Sequence, residues 1–311
     1  MAPAARVRIK GLYTLPTTQT AVTPAILETV ADFFCQYRGR VLGLTGAGVS
    51  VLSGIPDYRG SNGTYRVYGS YTPILHHELV QQHHSRQRYW ARSFFGIKPA
   101  FRAKPNTNHY ALATLESRGY LSGLVTQNVD GLHLQAGSRN VLELHGTLRH
   151  VKCLGCGFRE SRDEFQKRLE EMNPEWADFW HQIVRSGEEP RRRPDGDVDL
   201  PAQLKYENFK YPQCHKCHTG NFMPTVVFFG GNVSELDRER SFRMVDDAEA
   251  LLVCGTSLTT FSAYRLVRRM REQGKQVVIV NYGQTRGDDD ATLKLETVCE
   301  NILPLVTAQL S

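Results

Sequence analysis

The sequence predicts an α/β fold in which a small cysteine-containing module is inserted into a large parallel-sheet domain. Short apolar runs such as residues 41–44 and 250–254 are typical of strands that are buried on both faces of a sheet. Segments with apolar residues at helical spacing separate these runs. Four of the seven cysteines form two C-x-x-C pairs within the stretch 151–221.

These observations divide the chain into three parts. Residues 1–22 form a flexible N-terminus, residues 23–150 and 222–311 form the large domain, and residues 151–221 form the inserted module. Apolar spacing and capping residues predict helices over residues 24–37, 106–118, 162–172 and 261–273. Apolar runs predict further strands over residues 121–125, 224–229 and 276–280.

The overall composition is that of a soluble globular protein, with 41% apolar and 23% charged residues. The net charge of +6 is mildly basic, and no long basic run is interleaved with aromatic residues, so no specific nucleic-acid partner is predicted. No apolar run approaches the roughly 20 residues that cross a bilayer, so no membrane partner is predicted. The sequence does not predict an oligomeric state.

The N-terminal 22 residues are basic and poor in acids. They contain Arg6, Arg8 and Lys10 among several threonines and alanines, and the first acidic residue is Glu28. This pattern is typical of a short mitochondrial transit segment and predicts a location in the mitochondrial matrix. A disordered extension on a cytoplasmic or nuclear protein is the alternative.

A glycine turn follows the first predicted strand. Gly46 and Gly48 would let backbone amides approach a phosphate, and a helix that opens near Ser50 would aim its positive end at that charge. The full dinucleotide fingerprint requires a third glycine where this chain has Val51, so a plain strand-turn-helix corner stays open. The polar turn over residues 54–59 could fold over a bound cofactor and carry side chains to its reactive end.

Amide and carboxylate side chains follow the second strand, in residues 126–130 (TQNVD). Ligands of open parallel sheets gather at the carboxyl ends of the strands, so this segment is a candidate site, with a capped turn as the alternative. His145, just beyond a short strand and before Gly146, is the best candidate for a general base. If its pKa were unperturbed, activity would fall below about pH 6.5.

Two later strands also end in small or amide residues. The strand over 250–254 leads into Gly255 and Ser257, and the strand over 276–280 leads into Asn281 and Gly283. Together with the first glycine turn, these ends suit a dinucleotide that lies across the sheet edge. Its phosphates would lie on the first turn and its adenosine on the other two.

The paired cysteines predict a metal site. Each C-x-x-C offers two thiolates from one tight turn, and the two pairs together make a closed, four-thiolate zinc site of Cys153, Cys156, Cys214 and Cys217. No position is left for water, so the zinc would be structural. Redox-active thiols are the alternative.

Several motifs occur in the order found in the sirtuin family, which the chain resembles over residues 24–306. They are GAGVS (46–50), GIPDYR (54–59), TQNVD (126–130), LHG (144–146), the paired cysteines, VVFFG (226–230), GTS (255–257) and N-x-G (281–283). Tyr58 and the segments 88–92, 173–176 and 194–198 resemble the class II branch, whose well-known animal member is mitochondrial. Residues 51–52 and 230–232 depart from the branch pattern.

The resemblance implies a Rossmann-like NAD-binding domain, a zinc-binding module and the removal of acyl groups from protein lysines. Nicotinamide would be released and the acyl group would leave on ADP-ribose, with His145 as base toward the ribose hydroxyls and Asn128 as the second catalytic residue. The substrate backbone would lie along Val226, Val227, Phe228 and Phe229. The implied NAD contacts are Gly46, Ala47, Gly48, Ser50, Ile55, Asp57, Tyr58, Arg59, Gln127, Asn128, Val129, Asp130, Gly255, Thr256, Ser257, Asn281, Tyr282, Gly283 and Cys299.

Two other functions stay open. One is mono-ADP-ribosyl transfer to protein, which would use the same pocket, and the other is a scaffold that senses NAD or ADP-ribose with little turnover. The acyl group is also open between simple acetyl and a branched or acidic chain. An acidic chain would require a buried Arg and Tyr, for which the candidates are Tyr65, Arg66, Tyr68, Arg88 and Arg92.

Overall fold

The computed structural model describes residues 15–69, 72–187 and 200–310. Most of the predicted transit segment and the charged residues 188–199 of the insertion therefore lie outside the described residues. The described chain forms two compact units. The first contains residues 15–66, 103–145 and 233–310, and the second contains residues 67–102 and 146–232 where they are described.

The order of the elements alternates strands and helices in the first unit. The helices are α1 (Pro24–Gln36), α2 (Thr64–Val67), α3 (His76–Gln81), α4 (His83–Arg102), α5 (Thr107–Ser117), α6 (Leu132–Gln135), α7 (Arg162–Met172), α8 (Pro174–Ser186), α9 (Glu235–Asp247), α10 (Phe261–Glu272) and α11 (Leu303–Gln309). The strands are β1 (Val41–Thr45), β2 (Leu121–Thr126), β3 (Val141–Glu143), β4 (Gly146–Cys153), β5 (Arg159–Ser161), β6 (Phe222–Val226), β7 (Ala250–Cys254), β8 (Gln276–Val280) and β9 (Leu293–Leu295).

The first unit is built on a six-stranded parallel sheet with the strand order β3-β2-β1-β7-β8-β9. Alternate residues of β7 belong to different cores: Leu252 packs in a cluster with α1, α5 and α11, and Leu251 packs in a cluster with α10. The sheet is therefore buried on both faces, as its apolar runs predict. This confirms the predicted Rossmann-like α/β fold.

Two of the predicted helices begin at residues whose side chains cap them. The side chain of Thr23 accepts from the amide of Ile26 at the start of α1, and Asn106 accepts from the amide of Asn108 at the start of α5. Each cap satisfies a backbone amide that has no partner inside the helix. Helix α5 ends at Ser117, and Gly119 follows two residues later with a φ of +73°, which is favourable for glycine.

The second unit has a three-stranded antiparallel sheet with the order β5-β4-β6. Its core is rich in aromatic rings, among them Trp90, Phe94, Phe165 and Phe222. Helix α4 contributes the first two of these rings, so residues 67–102 pack in this unit. The predicted boundaries placed these residues in the large domain, because the apolar residues of a helix do not show which unit its buried face packs against.

Two further elements differ from the sequence predictions. The turn after β1 continues as a 3₁₀ segment, Ala47–Ser53, which ends at Gly54 with a φ of +79°, and not as an α-helix. The Pro56 that follows has no amide to extend it. Strand β6 begins at Phe222 and ends at Val226, so residues 227–229 lie beyond the strand. In the described ranges, no helix has the length and apolar character needed to cross a membrane.

Candidate active site

The glycine turn after β1 packs against the turn after β7. The amide of Gly46 donates to the carbonyl of Cys254 at 3.2 Å, and the amide of Gly48 donates to that of Gly255 at 2.9 Å. A Cβ on Gly48 would lie 2.8 Å from the Cα and the carbonyl oxygen of Gly255, closer than real Cβ atoms come. These two amides are bonded within the protein, so the visible contribution of the glycines is this close approach of two backbones.

The turn after β2 lies against the same glycine turn. The Nδ2 of Asn128 donates to the carbonyl of Gly46 at 3.0 Å and to the hydroxyl of Ser50 at 3.1 Å. That hydroxyl donates to Oδ2 of Asp130 at 2.9 Å, and Oδ1 accepts from the amide of Leu132. Predicted site residues from two strand ends thus form one buried hydrogen-bonded cluster.

Two histidines that the sequence analysis did not identify lie beneath this cluster. Nε2 of His109 lies 3.3 Å from the Ser50 hydroxyl, and Nε2 of His133 lies 2.9 Å from the Thr45 hydroxyl. Burial lowers the pKa of His109 to about 4 and that of His133 to about 3. The sequence feature that could have identified His109 is its position three residues before Leu112, which places both on the buried face of α5.

His145 is held by both ring nitrogens. Nδ1 lies 3.1 Å from the carbonyl oxygen of Gln127, and Nε2 lies 2.8 Å from the hydroxyl of Ser262. Because a carbonyl only accepts, the proton of the neutral ring is on Nδ1, and Nε2 accepts from Ser262. Burial, followed by the positive charge of Arg265, lowers the pKa of His145 to about 4 against the raising effect of Gln127. The unperturbed value considered in the sequence analysis is therefore wrong.

Gln127 acts on His145 through its main chain. Its side-chain amide is held by other groups: Nε2 donates to the Thr256 hydroxyl at 2.9 Å, and Oε1 accepts from the Thr260 hydroxyl at 3.0 Å. The threonines belong to the segment that joins β7 to α10. These two hydrogen bonds hold the segment after β2 against the turn that precedes Ser262.

The GIPDYR segment forms a compact loop in the first unit. Oδ1 of Asp57 accepts from the amide of Gly60 at 2.9 Å, and the carbonyl of Asp57 accepts from the amide of Thr64. Burial raises the pKa of Asp57, with the Gly60 and Arg59 amides opposing. The ring of Tyr65 is buried against Tyr58, which is itself 44% exposed. Ile55 and Arg59 are half-buried in the same loop.

Of the candidates for binding an acidic acyl chain, Tyr65 and Arg66 make contacts within this loop. The guanidinium of Arg59 lies 5.2 Å from the centre of the Tyr65 ring, and Nε of Arg66 donates to the carbonyl of Arg59 at 3.1 Å. Tyr68, Arg88 and Arg92 belong to the second unit.

The remaining predicted NAD contacts lie at the carboxyl edge of the same sheet. Nδ2 of Asn281 donates to the carbonyl of Gly283 at 2.8 Å, and the Tyr282 hydroxyl donates to the carbonyl of Pro16 at 2.8 Å. The thiol of Cys299 is buried, and the thiol of Cys254 followed by burial raises its pKa well above the ordinary value. The other members of this set are Ala47 and Val129, both half-buried, and Gly255, Thr256 and Ser257 after β7.

In the second unit, the four predicted ligands meet. The sulfur atoms of Cys153, Cys156, Cys214 and Cys217 all lie within 4.8 Å of one another, with Cys153–Cys217 and Cys156–Cys214 separations of 3.7 Å. A tetrahedron with Zn–S bonds of about 2.3 Å has edges of about 3.8 Å, so the cluster fits zinc. Amides of Thr219 and Gly220 lower the pKa of Cys217 to about 6, which favours the thiolate ligand.

The predicted substrate segment also lies in the second unit. Val226 ends β6, which is an edge strand of its sheet. The ring of Phe228 contacts that of Tyr89 at 5.3 Å between centres, and the carbonyl of Phe229 accepts from the amide of His76 at 2.9 Å. Val227 is half-buried between these positions.

Comparisons with known proteins agree with this arrangement of motifs. The model of the Sir2 family matches residues 46–262, more than half of the chain. The chain belongs to the Sir2 family. A similar protein is "NAD-dependent protein deacylase SIR4" of Batrachochytrium dendrobatidis, which is 45% identical over 272 residues, or 86% of this chain and 88% of that protein. "NAD-dependent protein deacylase Sirt4" of Drosophila melanogaster is 41% identical over 89% of this chain and 85% of that protein.

Solved Sir2 structures share the fold of this Sir2-family chain. The structure described as "Sir2-p53 peptide-NAD+" is 27% identical with a TM-score of 0.67, over 91% of this chain and 96% of that one. The structure "Sir2 bound to acetylated peptide" has 26% identity and the same TM-score of 0.67, over 91% of this chain and 98% of that one. The relatives named SIR4 and Sirt4 agree with the class II resemblance.

Proposed function

We propose that this Sir2-family chain is an NAD-dependent protein-lysine deacylase that transfers the acyl group to ADP-ribose and releases nicotinamide. The observation that carries the proposal is the geometry of His145, a neutral imidazole whose Nε2 accepts a hydrogen bond at the same sheet edge as Asn128 and Asp130. Relatives that are 41–45% identical over most of their length bear deacylase names.

NAD supplies the ribose carbon from which nicotinamide leaves and the ADP-ribose that carries away the acyl group. With NAD bound, Nε2 of His145 would accept a proton from a ribose hydroxyl, after the Ser262 hydroxyl has turned away from that nitrogen. The bond from Nδ1 to the Gln127 carbonyl keeps the ring oriented, and it stabilises the imidazolium that forms. Because burial holds the pKa of His145 at about 4, the resting ring is neutral at cellular pH.

Asn128 and Asp130 offer acceptors to the cofactor. Both hydrogens of the Asn128 amide are used, on Gly46 and Ser50, so its carbonyl oxygen is the group that faces a ligand. This oxygen is suited to accept a hydrogen bond from a ribose hydroxyl. The carboxylate of Asp130 is fixed by Ser50 and Leu132 and retains acceptor capacity for the amide of nicotinamide.

The protein substrate is an acyl-lysine segment. We propose that its backbone adds to the free edge of β6, where Val226 ends the strand, because an exposed strand edge presents unpaired backbone groups. The apolar side chains of Val227, Phe228 and Phe229 would surround the alkyl part of the modified lysine. One structural zinc ion on the four cysteines would stabilise this unit.

The test is nicotinamide release in the presence of acyl-lysine peptides, with acetyl, glutaryl-like, branched and lipoyl groups and one unmodified lysine. We expect release that requires one acyl class and disappears in His145→Tyr. His84→Tyr, at an exposed position of α4, is the matched control and retains activity. Release without any acyl-lysine would favour ADP-ribosyl transfer, and NAD binding without release would favour a sensing scaffold.

We also propose a mitochondrial matrix location, supported by the basic, acid-poor residues 1–22. A fluorescent protein fused to this segment should enter mitochondria, and Arg6→Glu with Arg8→Glu should abolish the import. A cytoplasmic or nuclear signal from the unaltered fusion would contradict the proposal. The charge pattern supports no specific nucleic-acid partner.

A further inference from the structure

The residues just before helix α1 are held against the rest of the first unit. Residues 16–20, the N-terminal segment, form neither a helix nor a strand. The segment is nevertheless fixed at its end, where the amide of Thr20 donates to the carbonyl of Glu296 at 2.7 Å. Two residues later, Val22 packs against the apolar cluster that also contains Cys299. An extended segment keeps one position only where such contacts outweigh the entropy lost in ordering it.

A side chain of the N-terminal segment reaches the loop that follows β9. Oε1 of Gln19 accepts from Nδ2 of Asn301 at 2.9 Å and from the hydroxyl of Thr297 at 3.2 Å. The second hydrogen of the Asn301 amide is donated to the same hydroxyl at 3.2 Å. The three side chains thus form a closed triangle of hydrogen bonds. Asn301 is the last residue of the 3₁₀ turn that begins at Cys299, so the triangle restrains this turn.

The other end of the N-terminal segment reaches the turn that follows β8. The hydroxyl of Tyr282 donates to the carbonyl of Pro16 at 2.8 Å. Tyr282 is half-buried, and it lies between Asn281 and Gly283. The segment therefore joins two loops that follow different strands.

These two loops carry one group of the predicted NAD contacts. Asn281, Tyr282 and Gly283 lie in the loop after β8, and Cys299 lies in the loop after β9. The two strands are neighbours in the parallel sheet, and ligands of such sheets gather at the carboxyl ends of the strands. The adenosine half of NAD is predicted to lie at this part of the edge. The N-terminal segment is thus bonded to loops that would hold the adenosine.

Direct bonds between the two loops fix the backbone at Gly283. Its amide donates to the carboxylate of Glu296, and its carbonyl accepts from Nζ of Lys294 at 3.1 Å. The side chain of Tyr282, in contrast, is fixed by Pro16. The N-terminal segment therefore adds a restraint that the two loops do not supply by themselves.

We propose that the N-terminal segment is a positioning element that holds the loops after β8 and β9 in the arrangement that binds the adenosine half of NAD. It acts on the first loop through Tyr282 and on the second through Gln19. The proposal rests on the proposed function, because both depend on NAD as the cofactor. Its physical basis is that loops ordered before binding lose less conformational entropy when the ligand binds.

The proposal limits how the basic N-terminus can be processed. Cleavage after Thr20 would remove the Pro16 carbonyl and the Gln19 side chain, and both loops would lose their partner. Cleavage before Pro16 would keep both. Removal of a leader from an enzyme that keeps its affinity for NAD must therefore stop before Pro16.

Two shortened chains reproduce these two cleavages. One lacks residues 1–14 and keeps the N-terminal segment, and the other lacks residues 1–20. We expect the first to bind ADP-ribose with the Kd of the full chain and the second to bind it about tenfold more weakly in calorimetric titrations. The KM of the acyl-lysine peptide and kcat at saturating NAD should be the same in both. Equal Kd values in the two shortened chains, or a change in Tm alone, would overturn the proposal.

A double-mutant cycle tests whether Tyr282 acts through the N-terminal segment. Tyr282→Phe removes the hydroxyl and keeps the ring, so in the full chain the Kd for ADP-ribose should rise by about fivefold. In the chain without residues 1–20 the acceptor is already absent, so the same substitution should have no further effect. Tyr110→Phe, at an exposed position of α5, is the control and keeps the native Kd. An equal effect of Tyr282→Phe in both chains would overturn the proposal.

The second contact is tested in the full chain. Gln19→Met has a similar length but no carbonyl oxygen, so it cannot accept from Asn301 or Thr297, and the Kd for ADP-ribose should rise by about threefold to fivefold. Thr18→Ala changes the neighbouring exposed side chain and should keep the native Kd. Equal Kd values in these two variants would contradict a role for Gln19 in positioning the second loop.

Binding of ADP-ribose involves no turnover, so these titrations distinguish the proposal from the proposed function. A native protein that binds ADP-ribose but releases no nicotinamide from NAD would contradict deacylation, and the Kd comparisons would still decide the role of the N-terminal segment. A native protein that binds neither NAD nor ADP-ribose would overturn both proposals.

Discussion

The zinc cluster and the buried polar network beneath Asn128 are built in opposite ways. The zinc ligands come from two short motifs, and within each motif the spacing of the cysteines already places two sulfurs together. The network joins Thr45, Ser50, His109 and His133, which belong to separate elements and meet only because β1 and β2 are neighbours. Local spacing can be recognised in a sequence, whereas proximity that depends on strand order cannot.

The two regions also differ in the size of the interactions that hold them. Binding of zinc to a four-thiolate site supplies about 10–16 kcal/mol in small zinc domains. A single buried hydrogen bond contributes about 1 kcal/mol net, although a donor or acceptor left without its partner costs about 1–3 kcal/mol. Changes to the zinc cluster should therefore affect folding of its unit, and changes to the network should affect ligand binding first.

The largest effect is expected from Cys153→Ser. The sulfur of Cys153 is buried and accepts from the amide of Gly155, so its loss removes one of four ligands from a closed site. We expect zinc content to fall from one ion per chain toward zero and the protein to lose its cooperative thermal transition. Elemental analysis and calorimetry measure the two effects. Cys35→Ser, at an exposed cysteine, is the control, and a zinc-free but fully stable Cys153→Ser protein would contradict a structural zinc.

A smaller, steric change near the same cluster should weaken its binding of zinc. A Cβ on Gly220 would lie 2.2 Å from the sulfur of Cys153, so Gly220→Ala must displace a ligand. We expect zinc affinity to fall by about tenfold to a hundredfold, measured by competition with a chromogenic chelator. Gly96→Ala is the control, because nothing lies within 4 Å of its added Cβ and alanine is a better helix former. Equal zinc affinity in the two variants would show that the cluster tolerates the displacement.

The buried network predicts how stability depends on pH. The pKa of His109 is about 4 in the folded protein and about 6.5 when unfolded, so below pH 6.5 the unfolded chain binds a proton that the folded chain does not. The free energy of unfolding should thus fall as the pH drops from about 6.5 to about 4, by up to about 3 kcal/mol from this histidine. Denaturant titrations at several pH values measure the slope. His109→Gln should reduce it, and an unchanged slope would contradict the burial of a neutral ring.

Much of the fold was predictable because its elements are marked locally. The strands over residues 250–254 and 276–280 agree with β7 and β8, and the helix over 162–172 agrees with α7. The membership of α4 in the second unit was not predictable, since its apolar face is compatible with either unit. The helix predicted to open near Ser50 is a 3₁₀ segment, because Gly54 and Pro56 end it within a few residues.

The candidate site was predictable only in part. Their positions after predicted strands identify His145, Asn128 and Asp130 as candidate site residues. No sequence pattern predicts the tautomer of His145 or its low pKa. The tautomer comes from Gln127 and Ser262, which reach the ring from different elements, and the low pKa comes first from burial. Which of the predicted residues touch NAD and the peptide stays a prediction.

The smallest effect is expected at Ser262, and it tests whether contacts assembled by the fold also tune the base. The Ser262 hydroxyl donates to Nε2 of His145 at 2.8 Å, which stabilises the neutral ring. Ser262→Ala removes that donor, so the pKa of His145 should rise from about 4, by less than about one unit. The acid limb of the pH profile of kcat/KM should move to higher pH by the same amount, with kcat near pH 8 changed less than about threefold. Ser262→Thr retains a hydroxyl and should restore the native profile. An acid limb that is the same in all three proteins would mean that the Ser262 hydroxyl has no influence on the pKa of the base.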